Sequence, residues 1–276
     1  MTREDYLNLV DGKTNEEKQE LLENILWETL EKSDYQNAEV LSDILTTDFD
    51  SWKAEMILPE LYYNIKKYER VIEIVDKVIA KNGLNIGTYT FLMYKGAAYI
   101  ELGRKEGSLA PHAQEATMAY ATCADAIKQI SQNFCDGKLE GDIFNNFIIC
   151  LTKMAYIYYE MGMYESAFKY FNEAWHMEKG LWTGYYLAKM FMDGLGTEKD
   201  TDIAKILFEQ VVECNGLPED IIVDAKKQLE KLNAAKIVTT TEEEVKNTEP
   251  PKKKSIFGKI SDVGTSIAIS ISHIFD

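Results

Sequence analysis

Hydrophobic residues recur at helical spacing along nearly the whole chain. Residues Thr2 to Val10 read as a short helix or arm. Thr14, with Glu17 three residues on, forms a capping box, so a helix is predicted from Asn15. Leu21, Leu22, Ile25, Leu26 and Leu30 lie on one broad face of it. Ser33 is expected to cap a second helix through Leu45. The next pair is predicted from about Trp52 to Lys81, closed by Asn82-Gly83, with Pro59 kinking the first helix or delaying its start. A third pair begins near Tyr89, with Leu92, Gly96, Tyr99 and Gly103 as its packing positions. An insertion, Arg104 to Gln114, separates its two helices. The second of these, about Pro111 to Ile130, carries Ala113, Ala116, Ala119, Ala121, Ala124 and Ala126, which permit close helix approach. After a loop at 136–141, Asp142 leads into a fourth pair.

Two stretches sharpen this pattern. In LTKMAYIYYEMGMYESAFKYFNEAWHMEKG, Tyr158, Gly162, Tyr164, Ala167, Phe171 and Ala174 occupy small and aromatic packing positions. Leu151, Met154 and Ala155 fill the slots before them, and Lys179 stands where Pro is usual. This spacing resembles the tetratricopeptide repeat. The following stretch places Leu187, Ala188, Phe191, Gly194, Gly196, Asp200, Ala204, Phe208 and Gly216 in a pattern that resembles the Sel1-like repeat, with Val211 and Val212 replacing paired alanines. Gly162 and Gly194 fall where a helix must end, and Asp200 is positioned to cap the helix from Thr201. Leu217-Pro218-Glu219 then opens a capping helix to about Leu232. The resemblance implies an all-α, right-handed solenoid of about five helix pairs. It implies a scaffold and leaves the partner unnamed.

In this repeat family ligands bind a concave surface lined by the first helix of each pair. Carried over by register, the lining positions are Trp27 and Leu30; Lys53, Met56, Glu60 and Tyr63; Thr90, Met93, Ala97 and Ile100. They continue as Ile149, Thr152, Tyr156 and Tyr159, then Trp182, Tyr185, Lys189 and Met192. Tyr63, Met93, Ile149, Tyr156, Tyr159, Trp182, Tyr185 and Lys189 are the expected partner-binding residues, since aromatic and Met side chains are favoured at interfaces. The same rings could equally be core between repeats. A carboxylate clamp of the chaperone type is not expected: its slots hold Thr152, Lys153 and Tyr156, and only Lys153 is basic.

Composition narrows the function. Hydrophobic residues at 46% and charged residues at 28% fit a folded chain. The net charge of −16 argues against a nucleic-acid partner. His112, His176 and His273 stand near no nucleophile pattern, and Gly194-Leu195-Gly196 lacks the strand and Lys-Ser/Thr of a phosphate loop. No cofactor or metal is expected, and catalysis is expected only if the insertion from Arg104 to Gln114 shapes a pocket. Cys123, Cys135, Cys150 and Cys214 show no C-x-x-C spacing and read as buried free thiols of a reducing compartment. With no leader pattern at the N-terminus, a cytoplasmic location is expected.

The end of the chain changes character. Residues 1–234 are expected to form the repeat domain, 235–254 a polar linker and 255–276 an amphipathic segment. Ile256, Ile260, Val263, Ile267, Ile271 and Ile274 share one helical stripe bordered by Phe257, and Lys252, Lys253 and Lys254 precede it. From Pro251 onward there are four Lys and two Asp, which leaves 26 basic against 44 acidic residues elsewhere, a net −18. Three readings of this basic tail on an acidic body stay open: a peripheral membrane contact, docking on a partner or on the chain's own groove, or a packed terminal helix.

Overall fold

The structure is a computed structural model that describes residues 1–134, 137–213 and 216–243, with side chains up to residue 234. Its described residues form twelve α-helices and one 3-10 turn, and no strand is found among them. They fall into two compact units, Met1–Met161 and the residues from Gly162 onward. The division lies at the connector of the helix pair in which the tetratricopeptide pattern is clearest.

Unit 1 contains α1 (Arg3–Leu9), α2 (Asn15–Glu31), α3 (Tyr35–Asp48), α4 (Trp52–Asn64), α5 (Tyr68–Asn82), α6 (Phe91–Glu106), α7 (Ala113–Phe134) and α8 (Gly141–Glu160). From α2 onward, each helix packs on the next, and α4 also touches α6. Contact between first helices of successive pairs is what stacking of pairs requires. The core faces follow the periodicity: Leu22 and Leu26 of α2, Leu41 and Leu45 of α3, and Val71, Val75 and Val78 of α5 are buried. Polar groups add directionality. The Glu23 carboxylate accepts from Ser51 Oγ and Lys53 Nζ, both at 2.7 Å, tying α2 to α4. Arg3 reaches Asp43 at 2.8 Å and Asp48 at 2.5 Å, fixing α1 on α3.

Several expectations are corrected. Asp34, not Ser33, caps α3, accepting from the Asn37 N–H. Ser33 instead takes a left-handed backbone with φ of 56° in the three-residue connector. Lys66 does the same between α4 and α5, φ 60°, and Gly162 follows α8 with φ 71°. One turn geometry thus recurs, but only one of the three carries the glycine that marks it in sequence. Helix α4 begins at Trp52 and runs through Pro59, whose missing N–H is outweighed by the buried Leu58, Leu61 and Tyr62 around it. The expected insertion is partly helical: α6 continues to Glu106, and a 3-10 turn over Ala110–His112 enters α7.

Close approach explains two glycines. A Cβ at Gly96 would lie 2.6 Å from the ring of Tyr120, which is itself fully buried. At Gly103 it would lie 2.8 Å from Leu109 Cα, so the loop after α6 folds back onto that helix.

Unit 2 contains α9 (Tyr164–Met177), α10 (Leu181–Asp193), α11 (Thr201–Glu213) and α12 (Glu219–Glu243), each packed on the next. Ala167, Ala174, Ala188 and Ala204 are fully buried, as small residues at helix crossings should be. The Asp200 carboxylate accepts from the N–H groups of Asp202 and Ile203, capping α11 as expected. Helix α12 runs past its predicted end near Leu232, to Glu243. No Gly or Pro stands in that stretch to stop it.

Candidate functional site

A cavity of about 480 Å³ in unit 1 is bounded by Ile100, Gly103, Arg104, Ser108, Tyr156 and Glu160, and of the predicted lining positions only Ile100 and Tyr156 reach it. Helix α6 supplies one wall through Ile100 and Arg104, one turn apart. Helix α8 supplies Tyr156 and Glu160 at the same spacing, and the folded-back loop at Ser108 closes a third side. Arg104 is held from two directions. Its guanidinium stands 5.7 Å over the Tyr156 ring and hydrogen-bonds the Glu101 carboxylate. Burial disfavours this cation, but the Tyr156 hydroxyl and Glu101 outweigh that and hold its pKa above the usual Arg range. Half-buried Lys153 is pushed the other way: burial lowers its ammonium pKa, Arg104 adds to the drop, and Glu101 partly offsets it.

A run of tyrosines stands in the same unit. The Tyr63 ring lies 5.6 Å from Tyr68 and 6.0 Å from Tyr94. Burial pushes the Tyr94 phenol up to about 12, with the Glu60 carboxylate and a hydrogen bond to it adding to the shift. Tyr63, Met93, Tyr156 and Tyr159 are half-buried, each with a ring or thioether partly open, and Ile149 is 40% exposed. Such surfaces present apolar area at small ordering cost.

Unit 2 uses its aromatics differently. Tyr186 stacks on Phe171 at 5.1 Å and meets Trp182 at 5.3 Å. Tyr185 is only 4% exposed, and its hydroxyl donates to Asp224 of α12 at 2.5 Å. Lys189 Nζ stands 5.2 Å over that ring. Tyr185 therefore packs in the core beneath the capping helix instead of presenting a face to a partner, and Lys189 is drawn into the same contact. Trp182 is half-buried.

The expected lining omits Arg104, Tyr94 and Tyr68. Thr90, Met93, Ala97, Ile100 and Arg104 continue one stripe at three- and four-residue spacing, so Arg104 belongs to the helix and not to an insertion that begins with it. The tail residues Lys252, Lys253, Lys254, Ile256, Phe257, Ile260, Val263, Ile267, Ile271 and Ile274 lie outside the described residues, as do Cys135 and Cys214. No helix among the described residues is long and apolar enough to cross a membrane.

No family model matches the chain, and no curated protein matches it. Among solved structures the chain is similar to the crystal structure of TTC0263, a thermophilic TPR protein in Thermus thermophilus. Sequence identity is 13% over 76% of this chain and 98% of that chain, and the TM-score is 0.46. The class of fold is defined by the helices themselves. Each unit is a run of α-helices in which neighbours pack on one another, and Ala155, Ala167, Ala174 and Phe171, at the expected repeat packing positions, are buried.

Proposed function

We propose that this chain is a non-catalytic adaptor that binds a peptide or protein segment at the α6–α8 cavity of unit 1. The observation that supports this most is the cavity itself, with Arg104 held over Tyr156. A planar cation and an aromatic face in one half-buried site suit an extended segment with polar and aromatic groups. Tyr63, Met93, Ile149 and Tyr159 belong to the same proposed surface. The α10–α11 hairpin is read as Sel1-like, on the strength of its Gly194 and Gly196 turn.

The test is capture of partners from source-cell extract by the full chain and by Tyr156→Ala. Truncating a buried interface aromatic costs about 2 kcal/mol or more, so the variant should lose the captured partner while keeping its Tm. Equal capture by both proteins would rule this surface out.

A second reading, peripheral membrane recruitment, has one sequence observation in its favour: the reversed charge and apolar stripe of residues 251–276. In that reading the cavity would still serve a protein partner, while the tail sets location.

A further inference from the structure

The loop that closes the α6–α8 cavity presents a serine. Helix α6 ends in Arg104-Lys105-Glu106, Gly107 turns left-handed with φ of 77°, and Ser108 follows. Backbone on either side of this serine is anchored. The Ser108 N–H donates to the Gly103 carbonyl at 2.9 Å, and Leu109 lies against Gly103, where a Cβ would come within 2.8 Å of the Leu109 Cα. Further on, His112 stacks on Tyr99 at 5.9 Å and meets the Glu106 carboxylate at 3.0 Å. The serine stands out of this frame. Residues 104–108 are all exposed, and Ser108 Oγ accepts from the Ala110 N–H at 3.3 Å. Two cations precede it, Lys105 three positions back and Arg104 four, in a chain whose net charge is −16. Arg104 and Ser108 line one cavity.

We propose that Ser108 is a phosphorylation site: a serine kinase that reads basic residues transfers the γ-phosphoryl group of ATP to it, and Arg104 holds the product. Ser108 Oγ attacks the γ-phosphorus and the new O–P bond forms. The bond from that phosphorus to the bridging oxygen breaks, and ADP leaves with the electron pair. The hydroxyl proton goes to the base of the kinase. Lys105 and Arg104 pair with the acidic substrate groove of such an enzyme once the last turn of α6 and the loop lift off Gly103. Helix ends are the places where such local opening costs least.

The product adds a charge of about −1.5 to −2 to one wall of the cavity. Arg104 stands four residues before it, and a guanidinium binds phosphate through two parallel N–H···O bonds. That pairing competes with the Glu101 bond and the Tyr156 ring, which now hold Arg104. Glu106 in the preceding turn and Glu160 on the cavity wall repel the phosphate, so its retention depends on Arg104. The loss of a partner from the cavity on phosphorylation rests on the function proposed above; the modification itself does not.

The test uses a basophilic serine kinase chosen for activity on a synthetic peptide of residues 101–112, with magnesium-ATP. Its substrate is the folded full chain carrying Ser255→Ala, which removes the serine that follows Lys252, Lys253 and Lys254. Trypsin cleaves after Lys105 and Lys128, so Ser108 is carried on peptide 106–128. That peptide should gain one phosphate, fragmentation should place it on Ser108, and Ser108→Ala should lose it. No kinase active on the peptide, or no phosphate on Ser108 of the folded chain, would overturn the site. Arg104 is tested apart from kinase recognition by installing phosphoserine at position 108 during translation. Its second ionisation, near pH 6 when free, is followed by phosphorus NMR in proteins of equal helicity. It should lie about 1 pH unit lower in the wild type than in Arg104→Gln, with Arg104→Lys in between. Equal titration in all three would overturn the role of Arg104.

Discussion

The Tyr185 hydroxyl donates to the Asp224 carboxylate at 2.5 Å, across 39 residues of sequence. Gln228 donates to the other Asp224 oxygen at 2.9 Å, and Lys189 stands over the Tyr185 ring. Helix α12 is therefore docked on α10 by a charged hydrogen bond as well as by the packing of its apolar side on α11. A residue whose register points to a binding groove here holds the end of its unit together.

Removing that hydroxyl tests the role. A hydrogen bond to a charged group contributes about 2 kcal/mol, so Tyr185→Phe should lower Tm by several degrees without affecting partner capture. The pH dependence follows from Asp224. Burial alone would raise its pKa, but the bonds from Tyr185 and Gln228, with Lys189 and Lys231 nearby, outweigh it and hold the value below the ordinary carboxylate range. A group with a lowered folded pKa contributes stability that is complete above its unfolded value, about 3.9 for Asp, and is lost as pH falls through the folded value. The Tm gap between wild type and Tyr185→Phe should hold steady from neutral pH to about 5 and shrink in stronger acid. No gap at neutral pH would mean the bond contributes nothing, and a gap unchanged in acid would mean its contribution does not depend on the Asp224 charge.

The turn between α10 and α11 makes a sharper demand. A Cβ at Gly196 would lie 2.2 Å from the Tyr164 carbonyl oxygen, and φ there is +67°. Backbone must move to admit it, and the left-handed conformation adds its own cost, so Gly196→Ala should destabilise by about 3 kcal/mol or more. Gly194 has a similar φ of +73°, but its nearest neighbour, Lys199 Cβ, is 3.4 Å away. Gly194→Ala should therefore cost only about 1–2 kcal/mol. Denaturant melts of both variants check the order; equal losses would show that the close approach is relieved cheaply.

Connector geometry predicts a gain. Lys66 sits at φ 60°, which costs a residue bearing a Cβ about 1–2 kcal/mol. Glycine removes that strain and gives back part of it in unfolded-chain entropy. Lys66→Gly should stabilise unit 1 by about 0.5–1 kcal/mol, seen as a higher urea midpoint with unchanged slope. A lower midpoint would place the strain elsewhere.

For the tail, co-sedimentation with anionic vesicles should separate the two functional readings. Under the adaptor reading, the full chain and a chain ending at Pro250 pellet equally poorly. Binding lost on truncation and weakened by salt would move the assignment to membrane recruitment.

The sequence by itself determined what is local. Periodicity placed the helices, Thr14 and Asp200 were readable as caps, and Gly83, Gly162 and Gly194 marked helix ends, because each of these effects acts within about one helical turn. Buried alanines at 155, 167 and 174 followed from the same short-range rule. Tertiary structure decided which neighbour covers each face. Periodicity gives Tyr185 a direction, but only α12 determines that the direction is inward. It likewise cannot say that Arg104 meets Tyr156. Nor does composition show that Ser33 and Lys66 adopt a glycine-like backbone. Packing of the flanking helices fixes the length of the connector, and the residue in the middle yields because the helices it joins bury more than its strain costs.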